Sequence, residues 1–305
     1  LAVQAGFLLP FDLPSTLLQT MKKLTIAVQK SGRLLDDSLQ LLRECGLKID
    51  VANGALKSEV SNFPLEILFL RNSDIPQYIK DGVVDLAIIG ENLLVEKGGD
   101  IETLLPLGFS KCKVSLAVPK SSSMQSVKDF EGQRIATSYP VTLQKYLDEN
   151  NVNAEIHTIS GSVEIAPNIG LADGICDIVS SGNTLFMNGL KELEVILRSQ
   201  AVLVANSKLS EEKQITLDKL VFRIKAVLAS KNSKYILLNA PNDRLEEISA
   251  ILPGMRSPTI LPLAQSGWSS VHSVIGEEQF WDTIDALKDA GAEGILVVPI
   301  EKMVN

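Results

Sequence analysis

The sequence predicts an α/β protein built as two layered lobes around a cleft, followed by a small βαββαβ module. Three observations carry this expectation. Short apolar runs alternate with amphipathic segments from Met21 to about residue 229. Small polar turns, several with glycine, follow those runs, where an open α/β sheet collects its ligands. Segment 233–305 then reads strand, helix, strand, strand, helix, strand.

The elements follow in order. Residues 24–28 are an apolar strand, and 34–45 carry apolar residues at helical spacing up to Gly46, a good C′ residue. Strands are expected at 66–70, 85–89 and 113–118, with a short helix at 75–80. The polar stretch 120–127 reads as a crossing into a second lobe. That lobe has strands at 134–137, 155–159 and 175–179, with helices at 141–149 and 163–172. The chain is expected back in the first lobe near 195–206, ahead of one long helix at 210–229. In the last module, strands fall at 235–238, 259–263, 270–275 and 295–300, and helices at 243–251 and 277–290. This is the order of a ferredoxin-like unit. The expected division is 1–20 as an extension, 21–119 plus 195–229 as lobe I, 120–194 as lobe II and 230–305 as the third module.

Composition narrows the function. The 305 residues carry a formal net charge of -8 with no basic stripe, so no nucleic-acid partner is expected. Cys45, Cys112 and Cys176 are odd in number and widely spaced, which suggests neither a disulfide framework nor a zinc site. A reducing, cytoplasmic setting is expected. His157 and His272 are the only histidines, too few for a His-rich metal site. No apolar run reaches the roughly 20 residues that span a bilayer, so no membrane partner is expected. Residues 1–20 contain no Lys or Arg and two prolines, and read as an extension without catalytic role.

The stretch Asp177 to Leu185 is the first candidate site. A buried strand ends there in Ser180, Ser181, Gly182, Asn183 and Thr184. Such a loop turns backbone N–H groups and up to three hydroxyls toward one anion. Asp177 could accept hydrogen bonds from ribose hydroxyls or touch Mg²⁺. No Lys follows the glycine, so a Walker loop is excluded and a phosphorylated sugar fits better. The alternative is a loop that only turns the chain.

Other turns fall in equivalent places. Gln29, Lys30, Ser31, Gly32 and Arg33 offer two cations and a glycine, either to a pyrophosphate or to solvent. Arg71 and Asp74 read as an ion pair, as a helix cap, or as site residues. Glu91 and Asn92 after Gly90 read as a first helical turn or as part of the site. Tyr139 could stack on a base, or belong to a turn with Pro140 at the first helical position. Glu164 in Gly161-Ser162-Val163-Glu164 suits a sugar hydroxyl or simply the helix dipole. Cys176, His157 and His272 are expected to be structural.

Taken together, the segments resemble one family. Gln-Lys-Ser-Gly-Arg (29–33), Asp-Gly-Val-Val-Asp-Leu-Ala-Ile-Ile-Gly-Glu-Asn (81–92), Arg-Ile-Ala-Thr-Ser-Tyr-Pro (134–140), Gly-Ser-Val-Glu-Ile-Ala-Pro (161–167) and Asp-Ile-Val-Ser-Ser-Gly-Asn-Thr-Leu (177–185) resemble ATP phosphoribosyltransferase. Ser-Pro-Thr-Ile-Leu-Pro-Leu (257–263) and Ile-Leu-Val-Val-Pro-Ile-Glu-Lys-Met (295–303) look like its long form, which carries a regulatory domain. The resemblance covers residues 21–305. It implies a two-lobed, periplasmic-binding-protein-like catalytic core and a reaction of ATP with phosphoribosyl pyrophosphate, the first step of histidine biosynthesis.

The resemblance also implies roles. Asp177 and Ser180 to Leu185 would hold phosphoribosyl pyrophosphate, with Glu164 and Asp177 at the ribose. Gln29, Lys30, Gly32 and Arg33 would approach ATP and pyrophosphate, with Arg71, Asp74, Glu91, Asn92 and Tyr139 completing the cleft. Mg²⁺ would be held mainly by substrate phosphates, with Asp177 a further ligand. Histidine would bind 230–305 through Asn239, Thr259 and Ser273 as a feedback inhibitor, within a homo-oligomer ranging from dimer to hexamer. One departure stands out: where many family members carry Arg, the best-aligned residue here is Ala55, with Lys57 nearby. Two lobes around a cleft also describe solute-binding proteins. Transfer to another acceptor is a third reading, although classical phosphoribosyltransferases place two acidic residues before the loop and here Cys176 precedes Asp177.

Overall fold

The computed structural model describes residues 22–52, 54–179, 182–252, 254–255 and 257–304. The chain divides into two compact units, one running to Leu217 and one from Asp218 onward, with Glu44–Gly46 assigned to the second.

The first unit holds two sheets. One contains β1 (Leu24–Gln29), β2 (Lys57–Glu59), β3 (Leu65–Leu70), β4 (Leu86–Gly90), β5 (Glu102–Pro106) and β11 (Ala201–Ala205), in the order β2-β3-β1-β4-β11-β5. Here β1 runs parallel to β3 and β4, while β11 pairs antiparallel with β4 and β5. Strands covered on both faces read as continuous apolar runs, as 86–89 and 201–205 do. The core on one face joins Ala27, Ile75, Ile79, Val84, Ala87 and Ile89. Burying side chains such as Ile75 or Ile89 contributes about 1.5–3 kcal/mol each.

The other sheet contains β6 (Cys112–Pro119), β7 (Arg134–Thr137), β8 (Glu155–Thr158), β9 (Gly174–Val179) and β10 (Leu190–Ser199), in the order β10-β6-β9-β7-β8. Strands β7, β8 and β9 are parallel, so their C-terminal ends share one edge. Phe130, Ile135, Leu143, Leu147 and Cys176 form the core of this lobe with Val114, Leu116 and Val118.

Three sequence expectations change here. Strand 113–118, placed in lobe I, belongs to the second sheet, because β6 pairs with β9 and β10 along its length. The chain therefore crosses between lobes at 107–111 and again at Gln200, and the polar stretch 120–127 is a turn inside lobe II. No helix runs over 163–172: one 3₁₀ turn, Val163–Ile165, is followed by Pro167 and by Gly170 at φ 75°. The ten-residue strand β10 lies where no strand was expected.

Helices α1 (Arg33–Glu44), α2 (Ile75–Lys80), α3 (Glu91–Lys97), α4 (Pro140–Glu149) and α5 (Asn183–Met187) connect these strands. The long helix α6 (Glu211–Lys231) carries the boundary between units inside it, between Leu217 and Asp218, not after it at 229. Its first turns are tied to the first unit: Lys213 Nζ donates to Asp85 at 2.7 Å, and Thr216 Oγ1 donates to the Lys22 carbonyl at 3.0 Å.

The second unit has β12 (Ser233–Pro241), α7 (Leu245–Ile251), β13 (Thr259–Pro262), β14 (Trp268–Gly276), α8 (Phe280–Asp289) and β15 (Glu293–Pro299). The sheet is antiparallel with order β13-β14-β12-β15, the ferredoxin-like arrangement. Ile236, Leu238, Ala240, Val271 and Ile275 point to the face covered by Ile248, Leu252 and Leu287. Among the described residues no helix is long and apolar enough to cross a membrane.

Candidate active site

The parallel strands of each sheet deliver their following turns to one edge. In the first lobe the turn after β1 is shaped by Gly32, whose φ of 90° lies in the left-handed region. The Gly32 carbonyl accepts from the N–H of Leu35 at 2.9 Å and starts α1. The Lys30 N–H donates to the Leu70 carbonyl at 2.8 Å, which ties this turn to the end of β3. Gln29 Nε2 donates to the Ser31 carbonyl, so Gln29 shapes the turn. Lys30 is exposed, and the Arg33 side chain is 75% exposed, with its Nε 3.7 Å from Asp37 Oδ2. That carboxylate also accepts from Ser110 Oγ at 2.8 Å, on the crossing between lobes. Both cations are thus open to an anion.

Arg71 follows β3 and is exposed. Asp74 precedes α2 without capping it, and accepts instead from Ser73 Oγ at 2.8 Å. No ion pair joins Arg71 to Asp74 among the described residues, so neither structural reading of the two holds. Lys57 pairs with Glu66 at 3.4 Å on the sheet and does not stand in for the arginine absent at Ala55.

After β4, Glu91 donates its N–H to the Gln200 carbonyl at 2.9 Å, and its side chain is half-buried. Asn92 is 4% exposed and its amide is engaged on both sides. Its Oδ1 accepts from Ser199 Oγ at 2.9 Å, and its Nδ2 donates to the Tyr139 hydroxyl at 3.0 Å. Asn92, expected to touch ATP, instead holds a residue of the opposite lobe.

In the second lobe, Thr137 Oγ1 donates to the Cys176 carbonyl at 2.6 Å and accepts from the Tyr139 N–H at 2.8 Å. Ser138 Oγ donates to Asp177 Oδ1 at 3.1 Å. Burial, reinforced by the charge of Asp177, holds the Tyr139 phenol far above its ordinary range, so it stays neutral. Burial also raises the Asp177 carboxyl, against the bonds from the Ile178 N–H and Ser138, and nearby Glu164 adds to the rise. Glu164 stands on the 3₁₀ turn after Gly161 and Ser162, both at positive φ (87° and 51°). Glu164, expected with Asp177 at a ribose, thus lies near enough to act on the Asp177 charge.

Ser180 and Ser181 lie outside the described residues, as do the side chains of Asn183 and Thr184. Gly182, at φ 77°, accepts from the Phe186 N–H at 3.0 Å and opens α5. Leu185 packs into the core with Val163, Ile175 and Val179, which leaves its backbone alone for a ligand. Among the described residues no three metal-binding side chains cluster. A magnesium ion here would take most of its ligands from substrate oxygens, with Asp177 as a further ligand, since no protein-only cage is present among the described residues.

In the second unit the three residues expected at histidine do not share a face. Asn239 pairs with Ser270, and Thr259 with His272, on the open face of the sheet. Ser273 pairs with Ile236 on the helix-covered face, where its hydroxyl is buried without a hydrogen-bond partner among the described residues. The register separates them because side chains alternate along a strand. The remaining expected structural residues behave so. His272 bonds Tyr235 and Ser270, His157 lies 3.0 Å from Glu155, and burial pushes the Cys176 thiol up to about 12.

Comparison with known proteins agrees with this layout. The profile of the ATP phosphoribosyltransferase family matches residues 71–226, and that described as "HisG, C-terminal domain" matches 230–302. The ATP phosphoribosyltransferase of Cytophaga hutchinsonii is 56% identical over 282 residues, covering 92% of this chain and 99% of that protein. That of Bacteroides thetaiotaomicron is 55% identical over 281 residues, with the same coverage. A chain of the Thermotoga maritima ATP phosphoribosyl transferase (HisG:HisZ) complex superposes with a TM-score of 0.56 at 28% identity, covering 98% of that chain and 66% of this one. With matches of this depth across both units, the chain belongs to the ATP phosphoribosyltransferase family in its long form, the pentosyltransferases that catalyse the first step of histidine biosynthesis.

Proposed function

We propose that the cleft of the first unit binds phosphoribosyl pyrophosphate on the second lobe and ATP against the first, and joins N1 of adenine to C1 of the ribose. The observation that carries this reading is the meeting of two sets of strand-end turns through the Asn92–Tyr139 hydrogen bond, with Asp177 held by Ser138 and within electrostatic reach of Glu164. N1 of adenine has a free lone pair and needs no base. As the bond to pyrophosphate stretches, C1 gains oxocarbenium character and negative charge collects on the leaving group. Catalysis is then positioning plus charge stabilisation. Lys30 and Arg33 stabilise the departing pyrophosphate, Asp177 and Glu164 hold ribose hydroxyls, and the neutral Tyr139 ring faces the base. Gly182 and its neighbours cradle the 5-phosphate through backbone N–H groups. Magnesium, when bound to the pyrophosphate, neutralises part of its charge.

The second unit, on this reading, binds histidine and inhibits the first in a cytoplasmic homo-oligomer of dimers and hexamers. The test is near-UV absorbance of protein with ATP, phosphoribosyl pyrophosphate, Mg²⁺ and a pyrophosphatase. A rise that needs both substrates and falls with added histidine is expected. A rise insensitive to histidine removes the regulatory role, and no rise with intact phosphoribosyl pyrophosphate binding leaves a binding protein.

A further inference from the structure

One buried carboxylate in the first unit is not used by this mechanism. Glu96 on α3 is 9% exposed. Its Oε1 accepts from the Val141 N–H at 3.0 Å, and its Oε2 accepts from the Thr142 N–H and Oγ1, both at 2.8 Å. These donors open α4, a helix of the opposite lobe. Pro140 stands at its start without an N–H, and Tyr139 at its N-cap position makes no side-chain capping bond. Helix α4 therefore has no cap of its own. Glu96 supplies one from across the lobes, with its charge at the positive end of the helix dipole.

The placement of this cap bears on the site. Glu96 and Asn92 are one helical turn apart and share a face of α3. Asn92 holds the Tyr139 hydroxyl, while Glu96 holds Val141 and Thr142. Ser138, which donates to Asp177, directly precedes Tyr139, the first of these anchor points. Gly90 leaves room for the arrangement, since a Cβ there would lie 2.3 Å from Asn92 Oδ1. Ser199, the last residue of β10 before the return crossing, secures Asn92 from behind.

We propose that Glu96 is a positioning residue for phosphoribosyl transfer: by capping α4 across the lobes it sets where Ser138, Tyr139 and, through Ser138, Asp177 stand relative to the first lobe. This rests on the reading of Tyr139 and Asp177 as cleft residues given above. A brace that served stability alone would lower the melting temperature and leave turnover of the folded protein unchanged. A positioning group lowers kcat in fully folded protein, because misplacement by a fraction of an ångström disfavours the reactive alignment.

The experiment is steady-state kinetics on the full chain for Glu96→Gln, Thr142→Val and Thr142→Ser, run well below each melting temperature. Gln keeps the volume but loses the charge and one acceptor. Glu96→Gln is expected to lower kcat about tenfold or more, with either KM moving by less than about threefold. Thr142→Val should fall in the same direction by less, and Thr142→Ser, which keeps the hydroxyl, should restore the parent kcat. An unchanged kcat in folded Glu96→Gln, or Thr142→Ser no better than Thr142→Val, overturns the proposal. If Glu96→Gln does not fold, the Thr142 pair decides alone. Should the parent chain show no transfer, the assigned reaction falls on its own. Calorimetric binding of phosphoribosyl pyrophosphate then carries the test, with at least about fivefold weakening in Glu96→Gln supporting the positioning role and equal binding refuting it.

Discussion

At Asp177 the fold holds a carboxylate where its charge is unwelcome. Burial, then Glu164, raises its pKa above the ordinary carboxylate value. A raised folded-state pKa means that the neutral form is favoured by folding. The stability it contributes is full below the unfolded pKa of about 3.9 and is lost as pH rises through the folded value. On the proposed reaction, the charged form of Asp177 is a cost carried for function. Asp177→Asn should therefore raise the melting temperature at pH 7 while reducing transfer to near background. A lower melting temperature would show that the Ser138 bond outweighs the desolvation. Arg33 presents the opposite case, an exposed cation with one distant partner. Arg33→Ala should leave stability nearly unchanged and lower kcat about a hundredfold, more than it raises KM for ATP. An unchanged kcat would remove its part at the leaving group. Both residues were legible in the sequence because their turns carry local signals, a glycine between cations and an acid before a small polar loop. Asn92 and Glu96 were not legible in their observed roles. Their partners stand 47 and 46 residues away, and no spacing rule reaches that far.

Secondary structure was most legible where burial on both faces wrote a plain apolar run, as at 86–89 and 201–205. It was least legible where one side of an element stays wet. Strand β10, Leu-Lys-Glu-Leu-Glu-Val-Ile-Leu-Arg-Ser, pairs with β6 alone among the described residues and mixes charges with apolar residues, and its register shifts between Glu192 and Glu194. Such a bulge erases the period-2 signal. At 163–172 the apolar spacing suggested a helix, while Pro167 and Gly170, both visible, argued against it. The junction of β4 and α3 shows how tightly one element can constrain another. Gly90 has ordinary extended geometry, so its lack of a side chain serves space and not dihedral freedom. Gly90→Ala should displace Asn92, break its bonds to Ser199 and Tyr139, and cost about 1–3 kcal/mol in a urea unfolding midpoint. Full stability in Gly90→Ala would mean that the Asn92 network contributes little.

At the scale of the whole molecule, the turns assigned to catalysis all lie in the first unit, and the second has a core of its own around Ile236, Leu238, Val271 and Leu287. The proposed regulation would then be a coupling free energy, with histidine favouring one state of a proposed assembly. The βαββαβ order was legible because each element is short and punctuated. The placement of the proposed effector residues was not, because a list of polar residues on strands says nothing about which face each one takes. The register separates the candidates. Asn239 and Thr259 occupy the open face, and Ser273, 5% exposed, has a hydroxyl unpaired among the described residues on the other. A Cβ at Gly254 would lie 2.6 Å from that hydroxyl, so the chain there already approaches as closely as it can. An unpaired buried hydroxyl is costly unless something completes it, and a charged ligand bonded there gains about 1.5–3 kcal/mol, about tenfold or more in affinity. Deleting 230–305 should abolish histidine inhibition of transfer. In the full chain, Ser273→Ala should raise the inhibitory concentration of histidine about tenfold, with Asn239→Ala near the parent value. The reverse order of the two variants would place histidine on the open face of the sheet. Inhibition that survives the deletion would place it in the first unit, where it would compete with substrate and show no dependence on the second unit at all.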